Sequence, residues 1–357
     1  MKTYTCTHCG SIIYFENSVC LNCSSAVAFD PSMLTMVSLD GDGTSSNGSG
    51  ISLKLCSNHA FGTCNWLTST GDSPFCVACS LNRIIPAISP HNLERWKQIE
   101  LAKHRLVYSL LRLKLPVSPR KRDSQNGIAF DFLADIAPDQ RVMTGHNDGV
   151  ITLNIEEADE AERVRNKLNL GEKYRTLLGH FRHEIGHYYW NVLIANSSFH
   201  NRFRELFGDE TVDYGAALER YYASGANTSW ADNYISPYAT AHPWEDWAET
   251  WAHYMHLIDT LETAYFFGLG VHPIHGEHVS IDVKKDPYTI ADFESIFRMW
   301  LPLTFALTSL NRSMGHNDFY PFIIAPKVME KLSFIHDVLH FISADGIPSA
   351  SMHQMKE

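Results

Sequence analysis

After Cys79 the 357-residue chain contains no cysteine at all. The eight that it has fall between Cys6 and Cys79, so everything C-terminal of that point must do without disulfides and without thiolate ligands. A disulfide framework normally accompanies secretion, and the N-terminal stretch "MKTYTCTHCG" shows no apolar segment of the kind a secretory signal carries. Long hydrophobic runs are missing too: none approaches the roughly 20 residues that span a bilayer. The expectation is a cytoplasmic protein whose clustered cysteines hold metal rather than each other. An excess of positive charge is also lacking. The net charge is −11, which argues against general nucleic-acid binding. The charge is uneven: residues 1–50 carry −3, residues 51–125 carry +7, and the remainder carries −15. The middle segment could face an anion, although a solvated basic helix is the commoner origin of such a run. Within these limits the composition, 45% hydrophobic and 19% charged, is that of a globular protein long enough for one large domain or two to three small ones.

What is present begins with two cysteine groups. Cys6-x-x-Cys9 and Cys20-x-x-Cys23 form a pair of knuckles, the usual construction of a tetrahedral four-cysteine zinc site. The second group is stretched, with seven residues between Cys56 and Cys64 before the normal knuckle Cys76-x-x-Cys79. A four-cysteine site is expected there as well, with His59 as a substitute ligand in the competing reading. Four thiolates leave zinc no open position, so both sites are expected to be structural, and to serve in recruiting a protein or nucleic-acid partner. Nothing in the first group is basic enough to favour nucleic acid. Between the groups, "SLDGDGTSSNGSG" (Ser38 to Gly50) has no apolar period and reads as a flexible linker. The expected organisation is a zinc ribbon over 1–37, a linker over 38–50, a second four-cysteine zinc-binding module over 51–89, and one larger domain over 90–357.

The larger domain opens with a helical pattern from Pro90 to Leu115, apolar at Leu93, Trp96, Ile99, Leu101, Leu106, Leu110 and Leu113. Two strands are predicted, Gly127–Asp135 and Gly149–Ile155, with "GHNDG" (Gly145–Gly149) supplying a turn before the second. Helical patterns then dominate: Asp159–Leu168, Glu172–Ala195, His200–Leu206, Asp213–Ser224, Pro243–Phe267, Ile290–Ser313 and Pro326–Ile342.

The chemistry concentrates in "FRHEIGHYYW", within the second of these helices. Residues four apart on a helix share a face, so His183 and His187 can present two imidazoles to one metal ion. Glu184, about 100° further round, is placed to reach a water on that metal and take its proton. Gly186 costs about 1 kcal/mol relative to Ala inside a helix, which points to close approach by another element or by the metal site. The competing reading is a buried, hydrogen-bonded histidine pair.

Two histidines do not complete a catalytic zinc site, which takes three protein ligands and keeps one position open. The metzincin continuation is absent, because Trp190 stands where a glycine is required and Leu193 where a third histidine is required. The third ligand is therefore sought on a later helix. In "HPWEDWAETWAHYMH" (His242 to His256), Glu245 and Glu249 share a face of an apolar, Trp-rich helix that begins at Pro243. Carboxylates there are costly to bury unless they are paired or bound to metal. Glu245 is expected as the third ligand and Glu249 as the acceptor from a ligand histidine's other nitrogen. Their exchange, or an exposed acidic stripe at the helix start, are the alternatives. His180 and His242 lie near the site in sequence, and His253 is expected to pair with Glu249. Tyr238, on the approach to this helix, could donate to a developing oxyanion or could simply pack. The strand Gly149–Ile155 could offer an edge to an extended peptide.

Taken in order, "LCSNHAFGTCNWL", "FCVACSLNRIIP", "TGHNDGVITLNIEEAD", "FRHEIGHYYW" and "HPWEDWAETWAHYMH" resemble the bacterial zinc-binding metallopeptidases that carry an N-terminal zinc ribbon. The resemblance covers most of the chain. It implies an α+β fold, with a mainly helical, zincin-like domain of gluzincin type and a small sheet behind the ribbon modules. It implies one catalytic zinc held by an HExxH helix and a later glutamate helix, and a peptide or protein substrate. Gluzincins of the lethal-factor type show a similar Tyr-x6-Glu-x3-Glu arrangement, matched here by Tyr238, Glu245 and Glu249. Two other readings stand beside proteolysis: a zinc-ribbon binding module carrying a zincin domain that no longer cleaves, and a zinc hydrolase acting on a non-peptide amide. The retained Glu184 speaks against the first of these.

Overall fold

Each cysteine knuckle of the first group closes on a residue with positive φ. The amide of Gly10 (φ +75°) donates to the carbonyl of Cys6, and that of Ser24 (φ +61°) to Cys20. This turns the chain tightly enough for both sulfurs of a pair to face one point. The computed structural model describes residues 2–41, 43–46, 50–69, 73–135, 142–170, 176–226 and 228–345. It separates into two units, residues 1–181 and 182–357.

In the first unit, β1 (Tyr4–Thr5) pairs with β2 (Ile12–Ile13), and β3 (Val27–Asp30) with β4 (Thr35–Ser38). A three-stranded antiparallel sheet follows, built from β5 (Thr44–Ser46), β6 (Ser52–Leu55) and β7 (Leu67–Ser69). This corrects the linker expected over 38–50. Thr44–Ser46 is a strand in register with Ser52–Lys54, reached by a turn in which Gly43 (φ +78°) donates to Asp40. An edge strand needs few apolar side chains of its own when its neighbour supplies them, and here Leu53 of β6 is buried with Leu67 and Ala28. Residues 42 and 47–49 of that segment lie outside the described residues. The two cysteine groups are not independent either. Phe29 packs 4.7 Å from Trp66 and 4.9 Å from Phe15, so one aromatic core serves both.

β8 (Asn82–Ile84) leads into α1 (Pro90–Arg112), which starts at the N-cap Ser89 with proline in its first turn. The chain returns as β9 (Ala129–Leu133), parallel to β8. β10 (Gly145–Asn147) and β11 (Val150–Asn154) complete a sheet of order β10-β11-β9-β8. The turn is shorter than the sequence suggested. Asp148 and Gly149 alone make it, with φ of +46° and +77°, the pattern of a two-residue hairpin loop. Gly145–Asn147 is thereby released to pair with β11. β11 is consequently an interior strand, hydrogen-bonded on both sides, and offers no free edge. α2 (Glu160–Leu170) and the start of α3 (Leu177–Leu193) end this unit. The predicted helix start at Glu172 falls on residues 171–175, outside the described residues.

The second unit continues α3 and adds α4 (His200–Phe207), α5 (Tyr214–Ser224), α6 (Pro243–Phe266), α7 (Phe293–Ser313) and α8 (Pro326–Asp345), with one short pair, β12 (Gly270–Val271) and β13 (Ile281–Asp282). The whole is α+β and mainly helical. α6 packs against α4, α7 and α8. Trp247, Trp251, Leu257 and Leu261 on α6 are fully buried, so its apolar positions wrap most of the circumference instead of one stripe. Among the described residues no helix is long and apolar enough to cross a membrane.

Candidate metal centre and cysteine sites

α3 places His183 and His187 one turn apart, with their Nε2 atoms 3.3 Å from each other. α6 brings Glu245 to them. Its carboxylate lies 3.1 Å from His183 Nε2 through Oε2 and 3.6 Å from His187 Nε2 through Oε1. The three donor atoms all fall within 4.8 Å of one another. Glu245 sits in the first turn of α6, fixed by the cap before it. His242 Nδ1 accepts the Trp244 amide at 3.1 Å, and His242 Nε2 donates to the Val212 carbonyl at 3.0 Å. His242 is therefore a capping residue and not a ligand.

Gly186 explains how the two helices come so close. A Cβ there would meet the Ala248 Cα at 3.1 Å and the Trp251 ring at 3.2 Å. Trp247 Nε1 also donates to the Gly186 carbonyl at 2.9 Å. The close approach anticipated from the sequence is thus an approach by α6.

The electrostatics suit a cation. Glu249 Oε1 lies 2.7 Å from His183 Nδ1. A carboxylate accepts, so Nδ1 carries the proton and Nε2 faces His187 and Glu245. Glu245 Oε2 is buried and makes no hydrogen bond. Burial alone would raise the Glu245 carboxyl, but His187 and His183 hold it well below the ordinary range. Burial would lower His183, whereas Glu245 and Glu249 push it well up. Positive charge is therefore favoured at this point, and a metal ion supplies it without a proton. Two imidazole nitrogens and one carboxylate are the donor set of a catalytic zinc.

Glu184 is raised above its ordinary value by burial, despite the nearby His183 and His187, which makes it a stronger base than an exposed carboxylate. Tyr238 packs its ring 6.1 Å from the His183 ring, and burial followed by the Glu245 charge keeps its hydroxyl protonated. Sequence reasoning missed Tyr214. It stands at the start of α5, after the N-cap Asp213, and its hydroxyl donates to Glu245 Oε1 at 2.6 Å. The separation of 31 residues in sequence leaves no spacing that could have signalled the pair. The other nearby histidines lie outside the donor group. His180 Nδ1 is 3.8 Å from Glu157. His253 Nδ1 hydrogen-bonds the Tyr320 hydroxyl at 2.7 Å instead of pairing with Glu249.

All eight cysteines are free, and they gather as two groups of four sulfurs, each within 4.8 Å. In the first, Cys6 lies 3.8 Å from Cys23 and Cys9 3.7 Å from Cys20. In the second, Cys56, Cys64, Cys76 and Cys79 are all buried. His59 turns its Nδ1 to the Cys64 carbonyl at 2.9 Å and is not among the donors. A different histidine is close. His104 of α1 places Nε2 3.2 Å from Cys64 Sγ.

Comparison with known proteins gives the same picture. A family described as "Putative zinc-binding metallo-peptidase" matches residues 92–338, and a zinc-ribbon domain matches residues 3–90, spanning both cysteine groups. Uncharacterized proteins from Mycobacterium bovis and from two strains of Mycobacterium tuberculosis are each 40% identical over 354 residues, covering 98% of this chain and 99% of the relative. No solved structure matches. With donors for zinc in both segments, the chain belongs to this zinc-binding metallopeptidase family and carries its metallopeptidase segment behind a zinc ribbon.

Proposed function

We propose that the chain is a zinc-dependent peptidase of gluzincin type in which His183, His187 and Glu245 hold the catalytic zinc. The observation that carries the reading is the convergence of these three donors beside a half-buried Glu184 whose carboxyl is raised above its ordinary value. A zinc held by these three residues would supply Lewis-acid polarisation of a water molecule and of the scissile carbonyl. Glu184 accepts the proton of the attacking water and later delivers it to the leaving amine nitrogen. Tyr238 donates its hydroxyl to the carbonyl oxygen as negative charge develops there. Glu249 holds His183 with Nδ1 protonated and Nε2 available to the metal, and Tyr214 fixes the Glu245 carboxylate from the opposite oxygen. The two cysteine groups each hold a structural zinc and serve to bring a peptide or protein substrate to the enzyme. The non-peptide alternative differs only in what the amide belongs to.

The test is a digest of a peptide library together with metal counting by native mass spectrometry. Wild type is expected to cut peptide bonds and to bind three zinc ions, one at His183, His187 and Glu245 and one at each four-cysteine group. His183→Ala and Glu245→Ala should each lose one zinc and all cleavage. Glu184→Gln should keep all the zinc and lose cleavage. Full zinc in Glu245→Ala would refute the ligand assignment. Wild type loaded with zinc that cuts no peptide in the library would refute proteolysis.

A further inference from the structure

Beside the four sulfurs of the second cysteine group stand a fifth donor, His104, and the carboxylate of Glu100, and a structural zinc has room for four. The fifth, His104, lies on α1, outside the segment matched by the zinc-ribbon domain. We propose that His104 is a reserve ligand of this site, an imidazole that takes up the zinc when Cys64 does not. The inference rests on the reading that Cys56, Cys64, Cys76 and Cys79 hold zinc.

Three features carry it. His104 Nδ1 lies 2.6 Å from the Glu100 backbone carbonyl, which can only accept, so Nδ1 bears the proton. Nε2 then points at Cys64 Sγ, 3.2 Å away, and at Cys79 Sγ, 3.8 Å away. A nitrogen lone pair that close to a sulfur is met either by the thiol's own proton or by a cation that both atoms ligate. Second, the ring is held in place. It packs edge-on against Trp66 at 4.9 Å and is 3% exposed, so little conformational entropy remains to be lost on ligation. Third, the neighbouring carboxylate is already committed. Glu100 accepts through Oε1 from Trp96 Nε1 at 2.9 Å, Asn82 Nδ2 at 2.6 Å and Lys103 Nζ at 3.0 Å, and its Oε2, 3.9 Å from Cys79 Sγ, is paired with Lys103 Nζ at 2.8 Å. That network fixes the turn of α1 from which His104 projects and leaves the imidazole as the free donor.

Cys64 is the sulfur it would replace. It is the one nearest His104, and it shares with His104 the wall of a cavity of about 280 Å³ that Glu16, His59 and Lys97 also line. Cys56 and Cys76, each 1% exposed, are not part of that wall. Ligand exchange at this site therefore begins where the reserve donor stands.

The experiment counts zinc in the full-length protein by native mass spectrometry and records the visible spectrum of the cobalt-substituted forms. Cys64→Ser is expected to keep the wild-type zinc count, whereas Cys56→Ser and the double variant Cys64→Ser with His104→Gln each lose one ion. The cobalt difference spectrum between Cys64→Ser and the double variant should be that of three sulfurs and one nitrogen. Loss of a zinc in Cys64→Ser, or its retention in the double variant, overturns the proposal. Should Cys64→Ser fail to fold, zinc release to a chelator from His104→Gln decides, because glutamine keeps an N–H donor toward Cys64 but is a poor zinc ligand. Release about tenfold faster than wild type supports the reserve role; release at the wild-type rate overturns it. Wild type with no zinc at this group would sink the zinc reading itself, and the proposal with it.

Discussion

The two donor groups that include a histidine are built with the same device and opposite counts. In both, a helix presents a histidine whose Nδ1 is fixed by an oxygen acceptor, Glu249 for His183 and the Glu100 carbonyl for His104, so that Nε2 faces the other donors. At the cysteine group five donors compete for four positions, which closes the site to substrate. At the α3–α6 group three donors leave a position open, and a base stands beside it. On the proposed reading the contrast separates a metal that holds a fold from one that does chemistry, by arithmetic on ligands and not by metal identity.

The largest expected effect tests that division directly. Glu184→Gln should lower kcat/KM by about 10²–10⁴-fold while leaving the metal count unchanged, since it removes a base and no ligand. The activity of wild type should also fall on acidification. Burial raises the Glu184 carboxyl, and the base acts only when ionised, so the acid limb of the pH–rate profile should lie above the range of an exposed glutamate. A chelator should remove the catalytic zinc well before the two thiolate-bound ions. A profile in which all three leave together would erase the distinction between open and closed sites.

Next in size are the residues that set the geometry without touching substrate. Glu249→Ala should weaken metal binding at the catalytic site about 10–100-fold, because His183 loses the acceptor that orients it. Zinc at the cysteine groups should be unaffected, which competition with a chelator dye would show. Gly186→Ala inserts a methyl group 3.1 Å from the α6 backbone and should cost about 1–3 kcal/mol, read as a shift of the urea midpoint. An unchanged midpoint would mean that α3 and α6 can separate without cost, and the site would lose its rigid frame.

Much of this was legible in the sequence where the signal is local. The helices from Pro90, Pro243 and Pro326 start where capping or proline signals place them, and the donor pair His183–His187 follows from spacing on one helix. The errors share a cause. The strand Thr44–Ser46 has no apolar pattern of its own and exists because β6 pairs with it. The loss of the β11 edge follows from a hairpin loop of two residues where five were assigned to the turn. Tyr214 and His104 reach their sites from other helices, at sequence separations of 31 and 40 residues, and no periodicity encodes such a meeting. His59, the substitute ligand considered from the sequence, turns to the Cys64 carbonyl, while His104 reaches the Cys64 sulfur from 40 residues further along the chain.

The smallest effect concerns the two tyrosines, which spacing alone could not have told apart. Tyr214 donates to a carboxylate that the metal also uses, so its hydroxyl stabilises the donor and not the reacting carbonyl. Tyr214→Phe removes one hydrogen bond from a buried charged group, which costs about 1.5–3 kcal/mol at most when nothing replaces it. Zinc itself replaces it at Glu245, so the expected loss is only about fivefold in metal affinity, roughly 1 kcal/mol, with kcat at saturating zinc close to wild type. Tyr238→Phe should do the reverse, leaving zinc affinity intact and lowering kcat with little change in KM. If saturating zinc fails to restore Tyr214→Phe while Tyr238→Phe keeps wild-type kcat, the roles belong the other way round, and the oxyanion donor is the tyrosine on α5.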